Sequence, residues 1–381
     1  MSLSADLLKV LDYTVGRGLC RVLAPLRKNR SESAVQASPR RILIIRPGGI
    51  GDAVLFIPML RELKRVWPAA ELELLAERRN ASVVAPSGLL HRVYRYDEAP
   101  LDLWRVIRRD YDLVIDTEQF HSLSAVVAWL TGAPRRIGFG TTVRRRLLTD
   151  PVPYSLETYE ARSFLELARR ATGCDPVWSE DATFYPVPDA SRRFAEQALR
   201  PLAGLPKVAI HPGASIPERR WPTERYGTLA RLLAERGVGV VILGGPTDRK
   251  TGSAIAAAVG AAPHIDLAGR CTLADAAGVV AACNVYISAD SGVLHLAYGV
   301  GTPTVHLFGP GVLSKWGPPG KRFRSIAADV PCSPCTTYGY TPPCCQGVIC
   351  MLRITPEQVL AAALEQLAAE RVPERTEEAP R

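Results

Sequence analysis

From Arg40 onward, short apolar runs alternate with longer amphipathic stretches. Ile42-Leu43-Ile44-Ile45 is apolar at every position, the pattern of a parallel strand buried on both faces. Further strands are predicted at Glu71–Glu77, Arg92–Tyr96, Asp112–Thr117 and Arg136–Phe139, with helices over 52–67, 101–110, 121–132 and 158–172 between them. Residues 174–206 are proline-rich around one helix and read as a linker region. A second series follows. Its strands are Lys207–His211, Val238–Gly244, His264–Leu267, Val285–Ser288 and Thr304–Phe308, and its helices are 223–236, 249–259, 272–283 and 292–299. Each strand–helix step takes roughly 25–30 residues, the length of a right-handed crossover in a parallel sheet. The chain is therefore expected to be α/β, with two doubly wound domains facing a cleft. The expected segments are 1–39, 40–190, 191–355 and 356–381, the last a helix starting at Pro356 and a polar, disordered tail.

The first thirty residues differ. Leu3, Leu7, Leu11, Val15, Leu19, Leu23 and Leu26 fall at near-helical spacing, interleaved with Lys9, Arg17, Arg21, Arg27 and Lys28. This is a basic amphipathic helix, weakened by Gly16, Gly18 and Pro25. It either attaches to an anionic membrane or packs on the protein's own surface. Residues 31–39 read as a linker.

Composition narrows the function classes. The 381 residues carry a net charge of +9, which suits nucleic acid, an anionic membrane or an acidic substrate. No nucleic-acid-binding motif accompanies the charge, so nucleic acid is excluded from the expected partners. No apolar run reaches the ~18 residues of a bilayer span, and no export signal is evident, so a cytoplasmic location is expected. Nine cysteines without an export signal argue against a disulfide framework.

Three loops follow predicted strands and are candidates for chemistry. Arg46-Pro47-Gly48-Gly49-Ile50-Gly51-Asp52 lets backbone approach a ligand closely and ends in a carboxylate, which is either a helix N-cap or a catalytic base. His211-Pro212-Gly213-Ala214-Ser215 leads to Arg219-Arg220-Trp221-Pro222, a basic loop ahead of a helix start, suited to a diphosphate or merely solvated. Asp290-Ser291-Gly292 opens a helix with His295 one turn along, an arrangement that binds phosphate oxygens through backbone N–H groups. Gly245 to Thr251 and Gly317 to Lys321 each lack part of an NTPase phosphate loop.

Taken together, these loops resemble glycosyltransferase family 9, the ADP-heptose:lipopolysaccharide heptosyltransferases. The resemblance runs from about Arg41 to about Gln366 and includes Asp112-Leu113-Val114-Ile115-Asp116, Arg136-Ile137-Gly138-Phe139 and Cys332-Ser333-Pro334-Cys335. It implies a GT-B fold, an inverting mechanism without a metal in the chemical step, an acceptor-holding first half and a donor-holding second half. Asp52 matches the family's base. Ser215, Asp290, Ser291, Gly292 and His295 match donor-binding positions, and Cys271 falls where a nucleobase contact is expected. Arg219 stands where the family has Lys beside the donor diphosphate, exchanging a point charge for a planar fork.

On the acceptor side the candidates are Gly49, Gly51, Glu118, Arg135 and Arg136. Here Asp116-Thr117-Glu118-Gln119-Phe120-His121 departs from the family's usual continuation. The implied partners are an ADP-sugar donor, an anionic glycolipid acceptor and the inner face of the cytoplasmic membrane. The N-terminal helix and the arginines at 135–136 and 144–146 suit that surface, or form a solvated charge run. Cys332, Cys335, Cys345 and Cys350 form either a structural zinc or iron site or a metal-free cysteine-rich loop. Competing readings are the same fold acting on another glycan, lipid or protein, and a non-catalytic sugar-nucleotide binder. An NAD-dependent dehydrogenase is disfavoured by the missing third glycine of the dinucleotide fingerprint.

Overall fold

The computed structural model describes residues 12–26, 38–337 and 340–370. The sequence expectations for residues 1–11, for 27–30 of the amphipathic stretch, for the 31–37 part of the linker and for the polar tail from 371 lie outside them. The chain forms two compact units, Met1–Ser179 and Glu180–Arg381.

Among the described residues the first unit contains a six-stranded parallel sheet of order β3-β2-β1-β4-β5-β6. The strands are β1 (Arg41–Arg46), β2 (Glu71–Ala76), β3 (Arg92–Arg95), β4 (Leu113–Asp116), β5 (Arg135–Phe139) and β6 (Asp150–Val152). Ile42 to Ile44 are fully buried, as an all-apolar central strand requires. The sheet order reverses between β1 and β4, where Ile45 lies opposite Asp116. The loops leaving these two strands, 47–49 and 117–122, are therefore neighbours at a topological switch point, where such sheets bind ligands.

The second unit repeats the plan with β7 (Lys207–His211), β8 (Gly239–Ile242), β9 (His264–Asp266), β10 (Val285–Ala289), β11 (Thr304–Phe308) and β12 (Phe323–Ala327), in the order β12-β11-β10-β7-β8-β9. Its switch point lies between β7 and β10, where Ser288 pairs with His211. The loops 212–222 and 290–291 emerge there. The terminal helix Pro356–Glu370 closes this unit's core through Val359, Leu360, Ala363 and Leu367.

Two strands escape the hydrophobic pattern, β6 and β12. Both are sheet edges, where Pro151 in one and Arg324 and Ser325 in the other are tolerated because one side of the backbone is unpaired. The helix expected over 52–67 is two helices, Ile50–Leu55 and Ile57–Val66, parted at Phe56 by Pro58, which lacks a backbone N–H. Helix Arg78–Val84 was not anticipated. Among the described residues no helix is long and apolar enough to cross a membrane.

The N-terminal segment Asp12–Leu26 packs on the first unit with one face and leaves the other open. Cys20 is fully buried against Ala125, Val126 and Leu147. Tyr13, Val15, Leu19, Val22 and Leu26 are exposed. Packing on the protein and presenting an apolar face are thus both true of it.

Candidate active site

In the first unit, Asp52 is the third residue of helix Ile50–Leu55, and Gly49 occupies the N-cap. This places Asp52 inside the first turn, which corrects the reading of it as the N-cap residue. Its carboxylate turns back to Arg46 at the end of β1, whose Nη2 donates to Asp52 Oδ2 at 3.1 Å. Gly49 holds φ at +77°, and a Cβ there would collide with the Asp52 carboxylate. The glycine is thus required twice, for its backbone angle and for the space.

Arg46 is almost wholly buried. Its Nε donates to Gly48 O at 3.0 Å and its Nη1 to Thr117 O at 2.8 Å, tying both switch-point loops together. Burial works against its charge, but Asp52, Glu118 and Glu160 more than offset this and raise its proton affinity. Gln119 Nε2 lies 3.4 Å from Asp52 Oδ1 and donates to Glu160 Oε1 at 2.6 Å. Tyr154 O–H donates to Glu160 Oε2 at 2.9 Å. Glu118 accepts backbone N–H bonds from Gln119 and Phe120 at 2.9 and 3.0 Å. Burial pushes its carboxyl up, yet Arg46, His121 and these donors bring it below the ordinary range. Behind it, buried Arg144 pairs with buried Asp116. The result is a carboxylate cluster around one guanidinium, with Asp52 the most open of the group at 15% side-chain exposure. An open carboxylate with its orientation fixed is equipped to accept a proton.

Arg135 and Arg136 are placed elsewhere. Arg135 donates to the carbonyls of Ala171 and Arg170 at the end of helix Glu160–Thr172, each at 2.6 Å. Arg136 is buried against Leu147 O and Ala133 O. Both arginines are taken up by backbone carbonyls. Of the 144–146 run, Arg145 and Arg146 are exposed and Arg144 is not.

In the second unit, the loops after β7 and β10 bring Arg219 and Asp290 together, Nη1 to Oδ2 at 2.9 Å. Among the described residues Arg219 Nε and His295 Nδ1 are buried without a hydrogen-bond partner. A bound ligand, ion or water can satisfy such groups. Ser291 is the N-cap of helix Gly292–Val300 but makes no side-chain cap bond, leaving the first N–H groups of that helix open. Burial, and secondarily Arg219, push His295 down to about 3, so the ring is neutral. Ser215 is exposed in the β7 loop. Cys271 follows β9, two strands from β7, and is half-buried, with burial and Asp275 pushing its thiol up to about 11.

Sequence reasoning passed over Gln119, Tyr154, Glu160 and Asp248. Asp248 accepts the Gly245 N–H at 2.8 Å, and a Cβ on Gly213 would lie 2.6 Å from its carboxylate. Its signal was present in the Gly244-Gly245 segment, which had been set aside as an incomplete phosphate loop. Glu160 has no local signal, because only the tertiary fold brings it to Gln119.

All nine cysteines are free. Among the described residues no group of three or more His, Cys, Asp or Glu is arranged to hold a metal ion. Cys335 is half-buried, Cys350 is buried, and Cys332 and Cys345 are exposed.

Two parallel α/β units, one with a fixed carboxylate and one with an arginine and open helix N–H groups at its switch point, define a sugar-nucleotide-dependent transferase of the GT-B type. Residues 101–344 match the family model described as glycosyltransferase family 9 (heptosyltransferase), and the chain belongs to that family. It is 27% identical over 293 residues to lipooligosaccharide heptosyltransferase 2 of Haemophilus influenzae, covering 71% of this chain and 83% of that protein. It is 25% identical over 317 residues to lipopolysaccharide heptosyltransferase 1 of Pseudomonas aeruginosa, covering 77% and 86%. The structure of E. coli ADP-heptose lipopolysaccharide heptosyltransferase II shares the fold with a TM-score of 0.71 at 24% identity, over 87% of this chain and 100% of that one. The chain is thus a glycosyltransferase.

The buried neutral histidines have a consequence for stability. His295 and His306 are both pushed down to about 3, chiefly by burial, whereas an unfolded histidine titrates near 6.5. A folded pKa below the unfolded one means that stability is complete above the unfolded value and is lost as pH falls through the window between them. The melting temperature should therefore fall between about pH 7 and about pH 5, and His295→Gln should show a shallower dependence. An unchanged slope in that variant would show that His295 is not buried neutral.

Proposed function

We propose that this enzyme transfers a heptose from ADP-heptose to a lipopolysaccharide inner-core acceptor, with Asp52 as the base. The observation that carries the mechanism is that Asp52 is held by a buried arginine at the switch point of the first sheet. The acceptor hydroxyl gives its proton to Asp52 as its oxygen bonds to the anomeric carbon. The bond from that carbon to the diphosphate breaks, and the configuration inverts. ADP leaves with the bonding electrons. Arg219, oriented by Asp290, and the N–H groups opening helix Gly292–Val300 take up the developing charge. Ser215 and His295 complete the donor contacts, and Cys271 contacts the donor's nucleobase. The donor's identity is supported by the relatives' activities. The acceptor-side residues Glu118, Gln119, Gly49 and Gly51 surround the base.

Asp52→Ala should lower turnover by roughly 10²-fold or more while donor affinity stays near native. Near-native turnover would sink the assignment of the base. Run in parallel, Arg219→Ala should weaken ADP-heptose binding in calorimetry, and an unchanged affinity would remove Arg219 from the donor site.

The enzyme acts at the inner face of the cytoplasmic membrane in this reading. The exposed apolar side chains of the N-terminal segment, flanked by Arg17 and Arg21, are suited to an anionic bilayer surface. Co-sedimentation with phosphatidylglycerol vesicles should drop in a Val22→Ser, Leu26→Ser double variant. Equal sedimentation of native and variant protein would contradict this location.

A further inference from the structure

The N-terminal segment reaches the candidate active site through one side chain. Asp12 is 6% exposed, and its Oδ1 accepts the backbone N–H groups of Ser122 and Leu123, both at 2.7 Å. These N–H groups open helix Leu123–Leu130, whose own N-cap, Ser122, makes no side-chain cap bond. The cap is instead supplied by a residue 110 positions earlier in the chain. Asp12 Oδ2 lies 3.4 Å from His121 Nδ1. Burial acts to raise the Asp12 carboxyl, but His121 and the two backbone donors outweigh it and hold it ionised. A carboxylate at a helix N-terminus is also favoured by the helix dipole.

The docking of the segment is close. A Cβ on Gly16 would sit 3.1 Å from Leu123 Cγ and 3.2 Å from Ser122 Cβ, and Cys20 Sγ lies 3.8 Å from Ser122 O. Gly16, which weakens a free helix, is what lets this one approach.

The start of helix Leu123–Leu130 is also the end of the short loop that carries Glu118 and Gln119. Glu118 Oε1 accepts the N–H groups of Gln119, Phe120 and His121, so the loop is one hydrogen-bonded unit from Glu118 to the helix. Gln119 in turn touches both Asp52 and Arg46. Fixing the helix start therefore fixes the group that orients the base.

We propose that Asp12 is a positioning residue for Asp52, which makes the N-terminal segment a working part of the acceptor-side site as well as an attachment surface. The family match begins at residue 101, so this element stands outside it. The proposal rests on the reading of Asp52 as the base.

The test compares Asp12→Ala, Asp12→Asn and Asp52→Ala as full-length chains, using ADP-heptose and inner-core lipopolysaccharide dispersed in detergent. Asp12→Ala should lower kcat by roughly tenfold with the KM for ADP-heptose unchanged, as expected when a reacting group is displaced by a fraction of an ångström. Asn keeps an acceptor oxygen at the same place, so Asp12→Asn should recover most of the loss. Amide exchange over residues 118–123 should quicken in the alanine variant and remain near native in the asparagine variant. Native kcat in Asp12→Ala, or equal loss in both Asp12 variants, would overturn the proposal. If Asp52→Ala is inactive while Asp12→Ala is normal, only the role of Asp12 fails. If Asp52→Ala itself turns over normally, the assignment of the base fails.

Discussion

The candidate site of the first unit depends on a single buried ion pair, Arg46 with Asp52. A guanidinium at 3% side-chain exposure is costly unless its donors are filled, and here they are. Gly48 O, Thr117 O and the Asp52 carboxylate each take one, while Gln119 and Glu118 stand close by. The same bonds join the loop after β1 to the loop after β4. Without the arginine, the three carboxylates Asp52, Glu118 and Glu160 would repel one another across a desolvated space. The pair therefore serves the fold and the chemistry together. It closes the sheet's switch point, and it leaves a negatively charged oxygen with little freedom to turn.

The second unit uses the same architecture for the opposite electrical task. At its switch point the fixed group is a cation, Arg219, held by a buried acid, Asp290. Burial raises the proton affinity of Asp290 and Arg219 lowers it, with burial prevailing. Nearby, the neutral His295 and the open start of helix Gly292–Val300 offer donors without adding full charge. A diphosphate leaving group needs such a field, with positive charge and N–H dipoles fixed before the charge develops.

The sheet cores were legible from local pattern. The strand limits of Lys207–His211 and Thr304–Phe308 are those expected from short, mainly apolar segments, the second interrupted by His306. The edge strands β6 and β12 were not, because an edge accepts proline and charge and loses the hydrophobic signature. The same division holds in the sites. Asp52, Arg219, Asp290 and His295 lie in or beside short glycine-bearing segments after strands, which mark them as candidates. Glu160 and Asp12 do not, since their partners lie 41 and 110 positions away, and Tyr154 joins the cluster through Glu160. Arg135 and Arg136 show the converse: charge clustered in sequence was spent on helix and loop carbonyls.

The most direct test of this account removes the cation and asks what becomes of the base. In Arg46→Ala, turnover should fall by roughly 10²-fold while the affinity for ADP-heptose, measured by calorimetry, stays near native, because the proposed donor site lies in the other unit. Added guanidinium ion should restore part of the lost rate by refilling the vacated space. Native turnover in the variant would contradict the claim that Arg46 holds Asp52 in its working state.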